Sequence, residues 1–198
     1  MKAEPDSANP LANDMRVLGS LLHETVSPHL HVSGAEDMRI LNLACGQCDE
    51  AETLVRFAES QTVGDVRLVG ADIRIREILQ ARERHANLPA EFLLEDATKL
   101  KAHKQIGDDF KMVLLRHQNY WHGPEVWKRI FEEGLARLDE NGLLVITSYF
   151  DREHRLALEA LQGLGAELVV SRKNTTSRQL KTAGKSVDKH IAVLRRKG

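Results

Sequence analysis

Arg39-Ile-Leu-Asn-Leu-Ala-Cys-Gly-Gln-Cys-Asp-Glu50 is the stretch on which the reading of this chain turns. Residues 40–44 have the near-continuous apolar character of a buried strand. Gly46 then permits a tight turn, because it reaches backbone angles barred to residues with a Cβ and leaves room for a ligand beside the main chain. Asp49 and Glu50 follow where a helix would begin, and acids are favoured in a first helical turn. The next apolar run ends on Asp72, 26 residues after Gly46. That is close to the spacing at which a nucleoside-binding βαβ unit places its ribose-binding acid. The first hypothesis is therefore a nucleoside site built on two successive strand ends.

Outward from this unit the chain alternates strand and helix. Met15, Leu18, Leu21 and Leu22 repeat at helical spacing up to Pro28, which predicts an N-terminal capping helix over 11–28 behind a loose tail, residues 1–10. Ala51, Leu54, Val55 and Ala58 predict a helix after the first strand, and Ile75, Ile78 and Leu79 another after the second strand, 66–71. Residues 91–94 and 111–115 read as the third and fourth strands. Trp127, Ile130, Phe131, Leu135 and Leu138 share a helical face, with Asn141-Gly142 as the expected C-terminal cap. Residues 143–148 are the fifth strand, and Ala157, Ala160, Leu161 and Leu164 mark a helix ending at Gly165. This alternation predicts an α/β fold: a doubly wound, mostly parallel sheet with helices on both faces. At the end the alternation fails. Residues 167–170 and 190–194 both read as strands, but 175–187 is polar and lacks a helical period, so these two strands should pair antiparallel. The expectation is seven strands, one of them reversed, in a single domain over 11–198.

Composition narrows the class. The chain has 198 residues, 42% of them hydrophobic, and a formal net charge of −1, which fits a globular domain with a real core. No apolar run approaches the ~20 residues that span a bilayer, and the first residues lack the apolar segment of a signal peptide. A cytoplasmic protein without membrane contact is expected. Between Arg172 and Lys197 there are nine Lys or Arg against one acid, Asp188. Such a stretch is either a solvated hairpin or a phosphate-attracting surface that leaves a nucleic-acid partner open.

In an open parallel sheet, ligands bind beyond the carboxyl ends of the strands. That edge would hold residues 42–48, Asp72, Asp96 and residues 116–120. Asp72 suits two ribose hydroxyls and Asp96 an adenine amino group; for each, the competing role is a helix N-cap or loop end. The fourth strand runs into Leu115-Arg-His-Gln-Asn-Tyr-Trp-His122. There His117 is a candidate general base, since imidazole titrates near neutrality. Asn119 and Tyr120 are candidates to orient a substrate and Arg116 to bind an anion, unless Arg116 and His117 simply cap the helix near Pro124. Cys45-Gly-Gln-Cys48 opening a helix also has the form of a thiol–disulfide site, although Asp49 and Glu50 would oppose a thiolate. No set of residues has clear metal-ligand spacing.

From about Arg39 to its C-terminus the chain resembles the class I S-adenosylmethionine-dependent methyltransferases. The resemblance rests on the Asn42-Leu-Ala-Cys-Gly-Gln-Cys48 loop, Gly70-Ala-Asp72, Glu95-Asp-Ala97 and the closing reversed strand. It implies S-adenosylmethionine as cofactor, with the first loop, Asn42, Leu43, Ala44, Cys45 and Gly46, at its methionine part, Asp72 at the ribose, and Asp96 with Ala97 at adenine; Ile73 and Arg116 are counted among the cofactor-binding candidates, Arg116 for a carboxylate or phosphate or for the cofactor's own carboxylate. It implies a methyl acceptor, a small molecule or a protein side chain, facing His117, Asn119 and Tyr120 as catalytic residues. The first loop departs from the family pattern of an acid followed by alternating glycines: Asn42 replaces the acid, Ala44 and Cys48 replace glycines, and Gly46 alone is kept. This departure leaves open a domain that holds the cofactor or a partner without turnover. A dinucleotide fits less well, since its pyrophosphate needs several glycines and would be repelled by Asp49 and Glu50.

Overall fold

Adjacent strand residues face opposite helical layers, and this alternation divides the core in two. Ile40, Met112, Leu114, Val145 and Val193 pack into one cluster. Leu41, Val113, Leu115, Leu144 and Ile146 pack into the other. A sheet that is apolar on both faces needs cover on both. In the computed structural model, which describes residues 9–102 and 106–197, the strands are β1 Met38–Leu43, β2 Val66–Asp72, β3 Ala90–Leu94, β4 Phe110–Leu115, β5 Leu138–Ser148, β6 Ala166–Lys173 and β7 His190–Arg196. They form one sheet in the order β3-β2-β1-β4-β5-β7-β6. The first five strands are parallel, and β7 runs antiparallel to both β5 and β6. Helices α1 (Pro10–Thr25), α2 (Ala51–Glu59) and α3 (Ile75–Arg84) cover one face. Helices α4 (Pro124–Ala136) and α5 (Asp151–Gly163) cover the other. Among the described residues, no helix is long and apolar enough to cross a membrane.

Several details differ from the sequence reading. α1 starts at Pro10, whose missing N–H suits a first helical position, and Asn9 Oδ1 accepts from Leu11 N at 3.1 Å. Residues 1–8 of the expected tail lie outside the described residues. Leu18 and Leu22 bury α1 in the core shared with α2, and its Asp14 pairs with Arg178 of the β6–β7 connection. α2 begins at Ala51, so Asp49 and Glu50 precede it. α4 ends at Ala136, and Leu138 already opens β5. Asn141-Gly142 is not a helix cap but part of a bulge, where the β4–β5 register jumps from Phe110↔Leu138 to Met112↔Leu143. A Cβ on Gly142 would lie 2.5 Å from the Phe110 carbonyl oxygen, and this close approach is the reason for glycine. Gly142→Ala is therefore expected to lower stability by about 1–3 kcal/mol, the usual cost of overpacking, read as a lower urea midpoint at unchanged m-value.

Candidate functional site

β2 and β4 flank β1 on opposite sides, so the connectivity reverses between β1 and β4, where open α/β sheets form a crevice. A cavity of about 430 Å³ lies there. Its walls are the loop after β1, the start of α3, Arg116 and His117 after β4, and Tyr149 after β5.

The loop after β1 keeps the backbone path of a glycine-rich turn while using few glycines. Ala44 (φ 53°), Gly46 (φ 57°) and Cys48 (φ 50°) all occupy the left-handed region, which costs a residue with a Cβ roughly 1–2 kcal/mol. Hydrogen bonds to β2 hold the turn in place. Cys45 N donates to Ala71 O at 3.1 Å, and Gly46 N donates to Asp72 Oδ2 at 2.8 Å. The Asp72 carboxylate also accepts from Arg74 N (2.9 Å), Nε (3.0 Å) and Nη2 (3.2 Å). Burial alone would raise its pKa, but Arg74 and the Gly46 amide outweigh burial and hold the carboxyl below its ordinary value. Asp72 thus presents both oxygens to a planar, two-point donor, as it would to two vicinal hydroxyls. That donor is displaceable, because the Arg74 side chain is 60% exposed. Beside it, Ile73 holds a large apolar side chain 69% exposed.

Buried charges form the other wall. Arg116 donates to Asp188 through Nε (3.1 Å) and Nη2 (2.7 Å), and to Glu50 Oε2 through Nη1 (3.2 Å). Burial would lower the Arg116 pKa, but Asp188 and Glu50 more than reverse this and keep the guanidinium charged. Burial likewise opposes ionisation of Asp188, whose side chain is 2% exposed; His117 and Arg116 outweigh it and hold the carboxyl far below the usual range. His117 Nε2 lies 2.9 Å from Asp188 Oδ1, and its ring stacks on Tyr149 at 3.9 Å. Thr147 Oγ1 accepts from His117 N (2.9 Å) and donates to Asp188 Oδ1 (2.8 Å). Behind the loop, Asn42 Nδ2 donates to Glu50 Oε1 at 2.5 Å, while its Oδ1 is buried without a partner.

The structure brings Ala44, Cys45, Gly46, Arg116 and His117 to the cavity, with Asp72 bonded to the Gly46 turn. It separates others from it. Leu43 and Ala97 are buried in the core. Asp96 Oδ1 accepts from Thr98 N and Oγ1, so that oxygen serves its own turn. Asn119 is exposed ahead of a 3-10 turn, and Tyr120 stacks on Phe131 at 5.8 Å; neither lines the cavity. Arg116 and His117 do not cap α4, and the Arg116 charge is met by protein carboxylates instead of being open to a ligand. The Cys45 partner and burial push the Cys48 thiol well above its ordinary pKa, contrary to what a redox thiolate requires. Among the described residues, no group of three or more His, Cys, Asp or Glu could hold a metal ion.

Sequence reading missed Glu50 and Asp188 as site residues. For Asp188 there was a signal, a lone acid in a basic stretch just ahead of a strand. Three of the nine basic residues of the stretch are met by carboxylates within the fold. Arg178 pairs with Asp14, Lys189 with Asp151 and Arg195 with Glu167, while Arg172 and Arg196 donate to the carbonyls of Glu24 and Asp139. Lys185 lies over the Tyr149 ring.

No protein-family model and no curated protein matches the chain. Many solved structures do. The PH0226 protein from Pyrococcus horikoshii OT3 superposes with a TM-score of 0.69 at 18% identity, covering 96% of this chain and 93% of that one. The N-methyltransferase NodS from Bradyrhizobium japonicum WM9 gives 0.64 at 16% identity, covering 96% and 99%. Magnesium protoporphyrin IX methyltransferase from Synechocystis PCC 6803, solved with bound SAM, gives 0.62 at 14%, covering 98% and 87%. At these identities the likeness is one of architecture, and the chain has the class I methyltransferase fold.

Two outcomes follow from the site's backbone and its surroundings. Ala44→Gly relieves the left-handed strain but adds unfolded-state entropy, so stability should rise by up to about 1 kcal/mol, a gain of about 2–4 °C in Tm. Next to the site, His154 is buried between Ser148 Oγ (3.0 Å) and Ser171 Oγ (2.8 Å), and burial pushes its pKa down to about 4. Since the unfolded chain takes up this proton below about pH 6.5, stability should be present above that pH and drain away as pH falls toward 4. From pH 7 to pH 5 the loss is about 2 kcal/mol by linkage, measured by urea unfolding, and His154→Gln should remove most of it.

Proposed function

We propose that this chain is an S-adenosylmethionine-dependent methyltransferase acting in the cytoplasm on a small molecule or a protein side chain. The observation that carries the reading is the Gly46 N–H donating to Asp72 across adjoining strand ends, beside an open cavity at the switch point of a class I methyltransferase fold. The residues present suit the cofactor. The left-handed turn at Ala44–Gly46 leaves backbone open to its amino-acid part. Asp72 accepts the ribose hydroxyls once Arg74 yields, exposed Ile73 offers an apolar face to the adenine, and the orphan Asn42 Oδ1 remains as a buried acceptor. Bound there, the cofactor supplies an electrophilic methyl group already activated by its sulfonium. The protein's task is then alignment, and holding reactants about 3–3.5 Å apart in line removes several kcal/mol from the barrier. His117, at the cavity wall, is the candidate base for an acceptor that must lose a proton. Asn119 and Tyr120 have no such position.

A second reading, a domain that does not turn over, is favoured by one observation: Arg74 already occupies the Asp72 carboxylate. Turnover with a pool of candidate acceptors separates the two; calorimetric titration with S-adenosylhomocysteine, the demethylated product, tests the cofactor site on which the first reading rests. Wild type should bind it. Asp72→Ala should weaken binding at least 10-fold, and Arg74→Ala should leave it equal or tighter. Binding unaffected by Asp72→Ala, or no binding by wild type, overturns the cofactor assignment.

A further inference from the structure

We propose that Asp188 is the positioning residue of His117: its carboxylate holds the imidazole in the Nε2–H tautomer, leaving Nδ1 as the proton acceptor of a cavity-lining base. The inference rests on the methyl-transfer reading only for its use, not for its geometry. Nε2 lies 2.9 Å from Asp188 Oδ1. A bare nitrogen lone pair at that distance from a carboxylate oxygen is repelled, whereas an N–H is strongly attracted, so the proton belongs between them. The Asp188 amide N–H also points at this nitrogen from 3.1 Å; because a charged carboxylate attracts an imidazole N–H more strongly than a neutral amide attracts the ring's lone pair, the carboxylate decides where the proton sits. Among the described residues, no group bonds to Nδ1. An aspartate that fixes the tautomer and balances the imidazolium formed later is the role a buried acid plays beside other histidine bases.

Three further features support the assignment. His117 (φ 55°) and Asp188 (φ 46°) are both non-glycine residues in the left-handed region, a strain that persists only where surroundings over-determine it and that clusters at functional sites. Thr147 Oγ1 bridges the His117 backbone and the Asp188 carboxylate, so the two residues are held by one hydroxyl. The charge count also fits. Glu50 and Asp188, both buried, face one buried guanidinium, Arg116, which leaves one negative charge to compensate an imidazolium. Tyr149 stacked on the ring adds no charge at neutral pH. When an acceptor X–H forms its bond to the methyl carbon, the X–H proton passes to Nδ1 and the electron pair of the broken methyl–sulfur bond stays on sulfur. Such a base serves hydroxyl, thiol or ammonium acceptors and is of no use to a carboxylate, which has no proton to lose.

The test is a long-range ¹H–¹⁵N spectrum of the full chain labelled at histidine, recorded from pH 7 to 9.5. His117 is assigned by the signals lost in His117→Gln. The expected result is a protonated Nε2 and a bare Nδ1. In Asp188→Asn the Nε2–H form should give way to the Nδ1–H form, and Asp188→Glu should restore part of it, a pattern that a merely structural role would not produce. An Nδ1–H tautomer in the wild type overturns the proposal, as does an unchanged tautomer in folded Asp188→Asn. Should that variant fail to fold, the wild-type spectrum alone still decides. S-adenosylhomocysteine titration of the same sample keeps the two claims apart: absent binding with an Nε2–H ring sinks the cofactor reading alone, and binding with an Nδ1–H ring sinks the dyad alone.

Discussion

One guanidinium shared between two buried carboxylates organises the working edge of this protein. Arg116 comes from the end of β4, Glu50 from the loop after β1, and Asp188 from the turn into β7. Each is costly to bury alone, and removing one partner of such a set typically costs about 3–5 kcal/mol, because a charge is then left uncompensated. The ion pairs therefore do more to fix the mutual positions of three chain segments than to add net stability. Thr147 on β5 joins the same network through Asp188. The cavity wall is consequently built from four elements that are distant in sequence and locked by charge.

Backbone strain gathers around that network. Among the described residues, the non-glycine residues with positive φ are Ala44, Cys48, Asp109, His117 and Asp188, and all but Asp109 belong to the loop after β1 or to the buried charge cluster. The hydrogen bonds from Cys45 and Gly46 to β2, the bond from the His117 amide to Thr147 Oγ1 and the contact of His117 Nε2 with the Asp188 carboxylate keep these residues there. Such local cost is the usual companion of a site that must present particular atoms. On the other side of the cavity, Arg74 satisfies Asp72 from an exposed position. The carboxylate is thus kept ionised and oriented by a group that solvent can readily replace.

The class I methyltransferase fold hosts many chemistries, so function has to be argued from the site. Here the cavity wall is strongly polar: carboxylates, two arginines, a histidine and a tyrosine. Beyond the ends of β2 and β3, Ile73, Ile75 and Leu94 are exposed large apolar side chains.

Much of the fold was legible in local pattern. Apolar runs of strand length, helical periodicity between them and a helix-free final connection sufficed for the α/β class, the seven strands and the reversed β7. The turn at Gly46 and its closeness to Asp72 were legible for the same reason: both lie within one βαβ unit, where chain connectivity dictates proximity. Element ends were not. Asn141-Gly142 resembles a helix cap, and only the approach of the Phe110 carbonyl across the sheet shows it to be a bulge. Tyr120 looked like a substrate contact until Phe131 claimed its ring. Asp188 sat in what looked like a solvated basic tail. Because β7 runs antiparallel, its beginning lies at the edge where the parallel strands end, and Ser148 pairs with His190. That reversal carries Asp188 to Arg116 and His117, 72 and 71 residues away along the chain. The sequence by itself determined which segments become strands and where the turn after β1 lies, because those depend on near neighbours. Only the tertiary structure decided which charges meet, because burial makes the partner of a charge a matter of sheet topology rather than of spacing.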